Sequence, residues 1–402
     1  MVGNIQGAWL SDSTAETLTG SELVTNGTFA TGTLTGWTLA GQTTPTFSNG
    51  GAKLTTAVGV DGSIYQAITP TSPVLVTWTV TELTSGYLGL FLNGSLILDG
   101  IYSSGTWSTS STVSSIQFVH RGGGGGYAVV DNISVRKAEL DRSPNNRSLQ
   151  VYGTITKTLL SAGSDLVAYS GWSTSNYLSQ PYSSTMDPTT GEYSVSLWIY
   201  TTTLAAANLV NRSTDDANET MRVYLNSSGT IYFDYGGGSE YAQSIIPAVQ
   251  ASQWTQIVCT AKAGRLGRIY INGQETTYSY QVKAPTPFVP GSHPITVGNH
   301  IAYGTPFNGS ITMVRYSFTV PSNAQVLKMY NDEKELFQTG AKACLYGTND
   351  QVSALAYDDA TRLLHVGTPQ GRSVLQNLRR IENTTTGVSA AISASNGMIA
   401  EQ

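Results

Sequence analysis

The chain has 402 residues, 12% of them charged and 40% hydrophobic, with a formal net charge of -5, too long for a single hydrophobic core. A negative balance with no basic cluster beyond Arg379-Arg380 excludes the counterion-displacing surface that nucleic-acid binding needs. No apolar run reaches the roughly 20 residues of a membrane span, and the first ten residues lack the basic and apolar regions of a signal peptide.

Ser, Thr, Gly and Asn replace the missing charges, with 42 glycines and 22 tyrosines. Such a mixture suits short strands joined by polar turns, so the expected class is all-β: two antiparallel β-sandwich (jelly-roll) domains plus a small C-terminal β-hairpin unit. Residues 1–20 are polar and read as an attachment arm or an expression scar. From residue 21 to 137 alternating runs predict a first sandwich, including Ile64-Tyr-Gln-Ala-Ile68 and Val74-Leu-Val-Thr-Trp-Thr-Val80. Leu90-Phe-Leu-Asn93-Gly94-Ser-Leu-Ile-Leu98 predicts a hairpin, because Asn-Gly supplies the two positive-φ residues of a type I′ turn. Gly122 through Gly126 cannot hold a strand and reads as a flexible tip.

The opening Asn26-Gly-Thr-Phe29, Gly36-Trp37 and the closing Asp131-Asn-Ile-Ser-Val135 resemble a jelly-roll carbohydrate-binding module of the cellulose- and xylan-binding type. Residues 138–149, rich in charge, Pro and Asn, read as a linker. A longer β segment follows over 150–338. Its order is a Trp strand (Tyr193-Ser-Val-Ser-Leu-Trp-Ile-Tyr200), a second Trp strand (Trp254-Thr-Gln-Ile-Val-Cys259), a hairpin (Gly267-Arg-Ile-Tyr-Ile-Asn272-Gly273) and a closing strand from Phe307 to Tyr316. That order resembles the laminin-G-like, concanavalin A-like lectin sandwich, and Asp165–Ser170 with Asn176–Tyr182 resembles the version found in phage structural proteins. Residues 324–337 carry a helical period in Val326, Leu327, Tyr330 and Leu336.

Residues 339–402 form the C-terminal unit and tail. Ala354-Leu-Ala-Tyr-Asp358 and Leu363-Leu-His-Val-Gly-Thr368, around an Asp-Asp-Ala-Thr turn, read as a hairpin. With Gly371-Arg-Ser-Val374 and Asn377-Leu-Arg-Arg380, this stretch resembles a C-terminal segment recurrent in tailed-phage virion proteins. The resemblance implies a virion protein, on tail or capsid, made in the host cytoplasm. Cys259 and Cys344 are the only cysteines and read as free buried thiols, with one disulfide as the alternative.

Sugar binding needs exposed aromatic platforms ringed by hydrogen-bonding side chains. Loop-placed candidates are Trp107, Tyr102 and Tyr127 in the first sandwich, and Tyr235, Tyr241 and Tyr303 in the second. Trp78 and Trp198 sit in strand patterns and belong to the cores, and Trp37 reads as a plug of the first. No cofactor is required. The module resemblance implies a structural calcium at Asp131, although Ala30 stands where the family often carries an acid. The glucanase pattern Glu-x-Asp-x-x-Glu is absent, and the four histidines lack metal spacing, so no enzyme activity is expected. The expected function is a tail fiber or similar virion protein binding host surface polysaccharide, with other virion proteins as partners and a homo-oligomer, a trimer, as its state. A purely structural decoration or attachment protein is the alternative, and a depolymerising tailspike the second.

Overall fold

The computed structural model describes residues 4–41, 44–56, 60–122, 124–161, 164, 166–189, 191–213, 220–236, 241–245, 248–285, 288, 291–337, 352–376, 379–385, 392–395 and 398–401. The chain is nearly all β and divides into two compact units. The first holds Met1–Ser11, Glu16–Lys157 and Ala168–Leu327; the second holds Asp12–Ala15, Thr158–Val167 and Lys328–Gln402.

Two short strands, β1 (Ile5–Trp9) and β2 (Glu16–Gly20), precede the first sandwich. Its strands are β3 (Thr38–Ala40), β4 (Thr46–Ser48), β5 (Gly51–Thr55), β6 (Gly62–Leu83), β7 (Tyr87–Leu92), β8 (Ser95–Ile101), β9 (Gly105–Arg121) and β10 (Tyr127–Glu139). The long β6 and β9 pair from Gly62 opposite His120 to Val80 opposite Gly105. Their register shifts between Ala67 and Val74, where Pro70 and Pro73 have no N–H to give the ladder. On one side of the shift these strands pair with β3 and β7, and β7 with β8; on the other, β6 pairs with β10, then β5 and β4. The long β6, marked by its two prolines, and its partner β9 thus serve both layers. Between the layers Trp78 meets Phe118 with ring centroids 5.6 Å apart, and Phe29 meets Trp37 at 5.9 Å. Trp78 and Trp37 are core residues, as expected. Asn93 and Gly94 take φ of 54° and 75° between β7 and β8, the turn their sequence predicts.

The second sandwich adds β11 (Leu149–Leu159), β12 (Val167–Ser170), β13 (Tyr177–Gln180), β14 (Glu192–Tyr200), β15 (Ala207–Arg212), β16 (Met221–Leu225), β17 (Ile231–Asp234) and β18 (Tyr241–Ser244). It continues through β19 (Thr255–Lys262), β20 (Arg268–Ile271), β21 (Gln274–Glu275), β22 (Tyr278–Gln281), β23 (Ile295–Val297) and β24 (Ser310–Ser317). One run of pairings is β1-β24-β14-β19-β20-β21, and the other is β11-β13-β23-β15-β16-β17-β18-β22. Trp198, Cys259 and Phe233 are buried among their neighbours, and burial pushes the free Cys259 thiol up in pKa. Cys344 lies outside the described residues.

Two boundary expectations are corrected. Residues 1–20 are not a separate arm: β1 pairs with β24, β2 pairs with β11, and Trp9 is buried with its indole N–H donating to Arg147 O at 2.6 Å. Residues 138–149 are not a loose linker either. β10 pairs with β11 at Ala138 and Glu139, and the Asp141 carboxylate folds the connection by accepting from the N–H groups of Ala8, Ser143 and Arg147, each at 2.8 Å.

The helix α1 (Asn323–Glu333) starts at Ser322, whose hydroxyl accepts from Gln325 N–H while the Gln325 amide oxygen accepts from Ser322 N–H. That reciprocal pair is a capping box, and a 3-10 turn over Lys334–Phe337 ends the element. In the second unit β25 (Ala354–Asp358), β26 (Leu363–Thr368), β27 (Gly371–Gln376) and β28 (Arg379–Thr384) form an antiparallel meander, and β29 (Ile392–Ser395) pairs with β30 (Met398–Glu401). The expected first hairpin is there, its turn held by Asp358 accepting from Ala360 N–H and the Thr361 hydroxyl.

Candidate functional site

In the first sandwich the three proposed aromatics do not gather. Tyr102 is 72% exposed and its ring neighbour is Tyr87, at 5.5 Å. Trp107 stands opposite the buried Trp78 in the β6–β9 ladder, packs half-buried on the core, and its indole N–H has no acceptor among the described residues. Tyr127 lies under the Lys53 ammonium, 3.7 Å from the ring centroid, and its hydroxyl donates to Glu82 at 2.5 Å. That bond raises the phenol pKa and lowers the Glu82 carboxyl below its ordinary value. None of the three offers a bare ring beside another of the set.

Asp131 is half-buried, its Oδ2 accepting from Asn132 at 3.1 Å and its Oδ1 without a partner, and burial raises its carboxyl pKa. Among the described residues no group of three His, Cys, Asp or Glu side chains gathers to hold a metal ion. The carboxylate that ties the domain's opening to its last strand is Glu22: it accepts from Val135 N–H at 2.8 Å and from the Ser134 hydroxyl at 2.7 Å, and pairs with Arg136 at 3.1 Å.

In the second sandwich Tyr235 is a correction. It is fully buried, with Gly267 hard against its ring and its hydroxyl donating to Val282 O, and burial pushes its pKa up to about 12. Gly267, distant in sequence, makes room for the ring, since a Cβ there would fall on it. Tyr303 is 40% exposed and packs against His300 with ring centroids 4.4 Å apart and planes tilted by 41°. Tyr241 is half-buried and belongs to a larger assembly.

That assembly is a tyrosine face. In β16, β17 and β18 the residues Val223, Leu225, Ile231, Phe233 and Ala242 point into the core. By strand alternation their neighbours point outward. Tyr224 stands opposite Tyr232, and Gln243 lies between Tyr232 and Tyr280 in the ladder. The ring centroids run Tyr224–Tyr232 at 5.9 Å, Tyr232–Tyr241 at 5.9 Å and Tyr241–Tyr280 at 4.4 Å, the last pair stacked. Arg222 flanks the row, 5.3 Å over Tyr224 and paired with Asp234 at 2.7 Å. A row of half-exposed rings with Arg222 and Gln243 beside it can stack on the C–H faces of a sugar chain and read its hydroxyls. Sequence reasoning picked only Tyr241. The signal that finds the rest is cross-strand register, which pairs positions far apart in the chain.

A second concavity, about 270 Å³, lies between the loop after β12, the end of β14 and the entry to β24. Trp172 and Tyr200 form its aromatic wall, and Thr201 donates to Asn308 O at 2.7 Å across its floor. Its volume is below the range of most small-molecule sites.

Residues 173–327 match the family model of the Concanavalin A-like lectin/glucanases superfamily, so the second sandwich is a lectin-like domain of that kind. Among solved structures the chain is similar to domain 4 of AbnA, a GH43 extracellular arabinanase from Geobacillus stearothermophilus, at 18% identity over 47% of this chain and 91% of that one, with a TM-score of 0.35. It is also similar to the receptor binding domain of botulinum neurotoxin C/D mosaic serotype, at 12% identity, 60% of this chain, 59% of that one and a TM-score of 0.40. The CBM40 of Ruminococcus gnavus IT-sialidase gives 14% identity, 35% and 83% coverage and a TM-score of 0.30. No curated protein matches the chain.

Proposed function

We propose that this chain is a non-enzymatic surface protein of a tailed bacteriophage, a tail fiber or similar, which holds host surface polysaccharide on the tyrosine face of its second sandwich. The observation that carries the binding role is the four-ring row Tyr224, Tyr232, Tyr241 and Tyr280. Weak single sites suit such a role, since several copies on one particle multiply affinity without new contacts. The phage assignment draws on the resemblance of the C-terminal meander sequence and of the lectin-like domain. A binding role rather than hydrolysis fits the described acids beside the row, which are engaged: Asp234 with Arg222 at 2.7 Å and Glu275 with Arg268 at 3.2 Å.

The first sandwich reads as a rigid spacer. Trp107 is packed on its core and Tyr127 is covered by Lys53, which leaves Tyr102 alone exposed among its three candidates. The test is binding of fluorescently labelled protein to host cells with purified surface polysaccharide as competitor. Saturable binding that the polysaccharide abolishes, and that a Tyr232→Ala/Tyr241→Ala variant loses, supports the reading. No binding by folded protein would leave a decoration or attachment role, and release of new reducing ends would make it a depolymerase.

A further inference from the structure

The end of β19, the turn into β20 and the segment after β22 enclose a groove of about 550 Å³, within the range of ligand sites. Lys262, Arg265, Arg268 and Lys283 line it, although the whole chain has only 21 Lys and Arg and a net charge of -5. Two of these cations are balanced, Lys262 by Glu192 at 2.7 Å and Arg268 by Glu275 at 3.2 Å. Arg265 and Lys283 are exposed and make no ion pair among the described residues.

Their backbones are fixed. Gly264 N–H donates to Ala284 O at 3.0 Å and Ala284 N–H to Arg265 O at 2.7 Å, so the turn that carries Arg265 is stitched to the segment that carries Lys283. Gln281 adds a further tie, its amide N–H donating to Gly267 O at 2.6 Å. Leu266, 45% exposed, supplies an apolar patch at the same mouth. Like charges held together in a cleft cost free energy unless an anion occupies it.

We infer that this groove is a second binding site, distinct from the tyrosine face, which takes the carboxylates of an acidic, hexuronate-type polysaccharide. Arg265 offers the planar fork that grips a carboxylate in two bonds, Lys283 a point charge beside it, and Leu266 a surface for the sugar ring. A nucleic acid fits less well: the basic groove is short, sits on a net acidic chain, and has no aromatic ring for base stacking among the described residues that line it.

The test uses the full chain with polygalacturonate as the acidic probe, dextran as the neutral one and duplex DNA as the polyanion control, in affinity electrophoresis from 50 to 200 mM NaCl. Polygalacturonate is expected to retard the protein. The Arg265→Ser/Lys283→Ser variant, with an unchanged melting temperature, is expected to bind it about tenfold more weakly and with a shallower salt dependence, as loss of two charge contacts requires. Tyr232→Ala/Tyr241→Ala is expected to leave this binding in place, which separates failure here from failure of the tyrosine face. Equal binding by the double Ser variant, no binding by folded wild type, or equally tight binding of DNA would each overturn the inference.

Discussion

The guanidinium of Arg136, in the last strand of the first sandwich, lies 4.5 Å over the ring of Tyr152, in the first strand of the second. The same guanidinium donates to Gly20 O at 2.6 Å and pairs with Glu22 at 3.1 Å, while Tyr152 stacks on Tyr177 at 4.6 Å with planes 7° apart. One cation therefore ties the first sandwich's opening, its last strand and the next domain's sheet. Gln150 adds amide bonds to Leu75 O at 3.3 Å and the Ser134 hydroxyl at 3.4 Å.

Replacing Arg136 with Ala leaves the Glu22 carboxylate without its cation and uncovers Tyr152. The expected cost is about 1–3 kcal/mol, the worth of a charge-assisted bond and a cation–π contact together. Calorimetry is expected to show one transition for the two sandwiches of the wild type, and a broadened or split one in Arg136→Ala. A sharp transition at the wild-type temperature would mean the junction is held elsewhere.

This junction was invisible in the sequence for a physical reason. Residues 138–149 have a linker's composition, yet their Asp and Ser are used by side-chain bonds that close a tight connection, as Asp141 does. Trp9 and Leu10 carry no local sign of their burial because their partners, Val314 opposite Trp9 and Met313 bonding to Leu10 O, lie some three hundred residues away. Local patterns recovered what local patterns determine: the Asn-Gly hairpins, the capped helix and the Ala354–Thr368 hairpin.

Along the tyrosine face, Tyr232 has ring neighbours on both sides, Tyr224 and Tyr241. Tyr232→Ala should weaken binding of the host polysaccharide by about 1 kcal/mol or more, as loss of a central aromatic contact does. Tyr102→Ala should leave it unchanged, since that ring stands on the other sandwich. Titration calorimetry checks both, and equal losses from the two variants would mean that binding is not localised to this face.

Tyr235 should behave as a core residue. Tyr235→Ala empties a fully buried ring site and is expected to cost about 3–5 kcal/mol. Tyr235→Phe keeps the ring and removes the bond to Val282 O, for about 1–2 kcal/mol. Denaturant unfolding gives both values, while glycan binding by folded Tyr235→Phe should match wild type. The sequence could not separate this tyrosine from Tyr241, because both stand among Gly and Ser; only the sheet pairing says which turns inward.

His120 predicts an acid-sensitive first sandwich. Its Nε2 lies 2.7 Å from Ser85 O and its Nδ1 2.6 Å from the Thr56 hydroxyl, which also donates to His120 O at 2.8 Å. Burial lowers its pKa from 6.5, against the opposing pull of the Ser85 carbonyl and Asp61. Below pH 6.5 the unfolded chain takes up a proton that the folded chain does not, so stability is present above that pH and is lost as pH falls toward the folded value. Urea midpoints between pH 7.5 and 5 should fall more steeply for wild type than for His120→Gln. Parallel slopes would place the acid sensitivity elsewhere.

The exposed face of the C-terminal meander bears on assembly. Edge strand β25 shows Leu355 at 67% and Tyr357 at 59% exposure, on alternate positions, and Ile381 of β28 is 45% exposed. Uncovered apolar side chains on an edge strand cost solubility in a monomer and are stabilised when a second copy covers them. The expected outcome is that the wild-type chain sediments as an oligomer at micromolar concentration, the trimer expected from the sequence. Leu355→Glu/Tyr357→Glu should shift it to a monomer while the two sandwiches keep their melting temperature, because these side chains are largely exposed to solvent. A wild-type monomer, or an oligomer untouched by the charged pair, would remove β25 as the assembly surface.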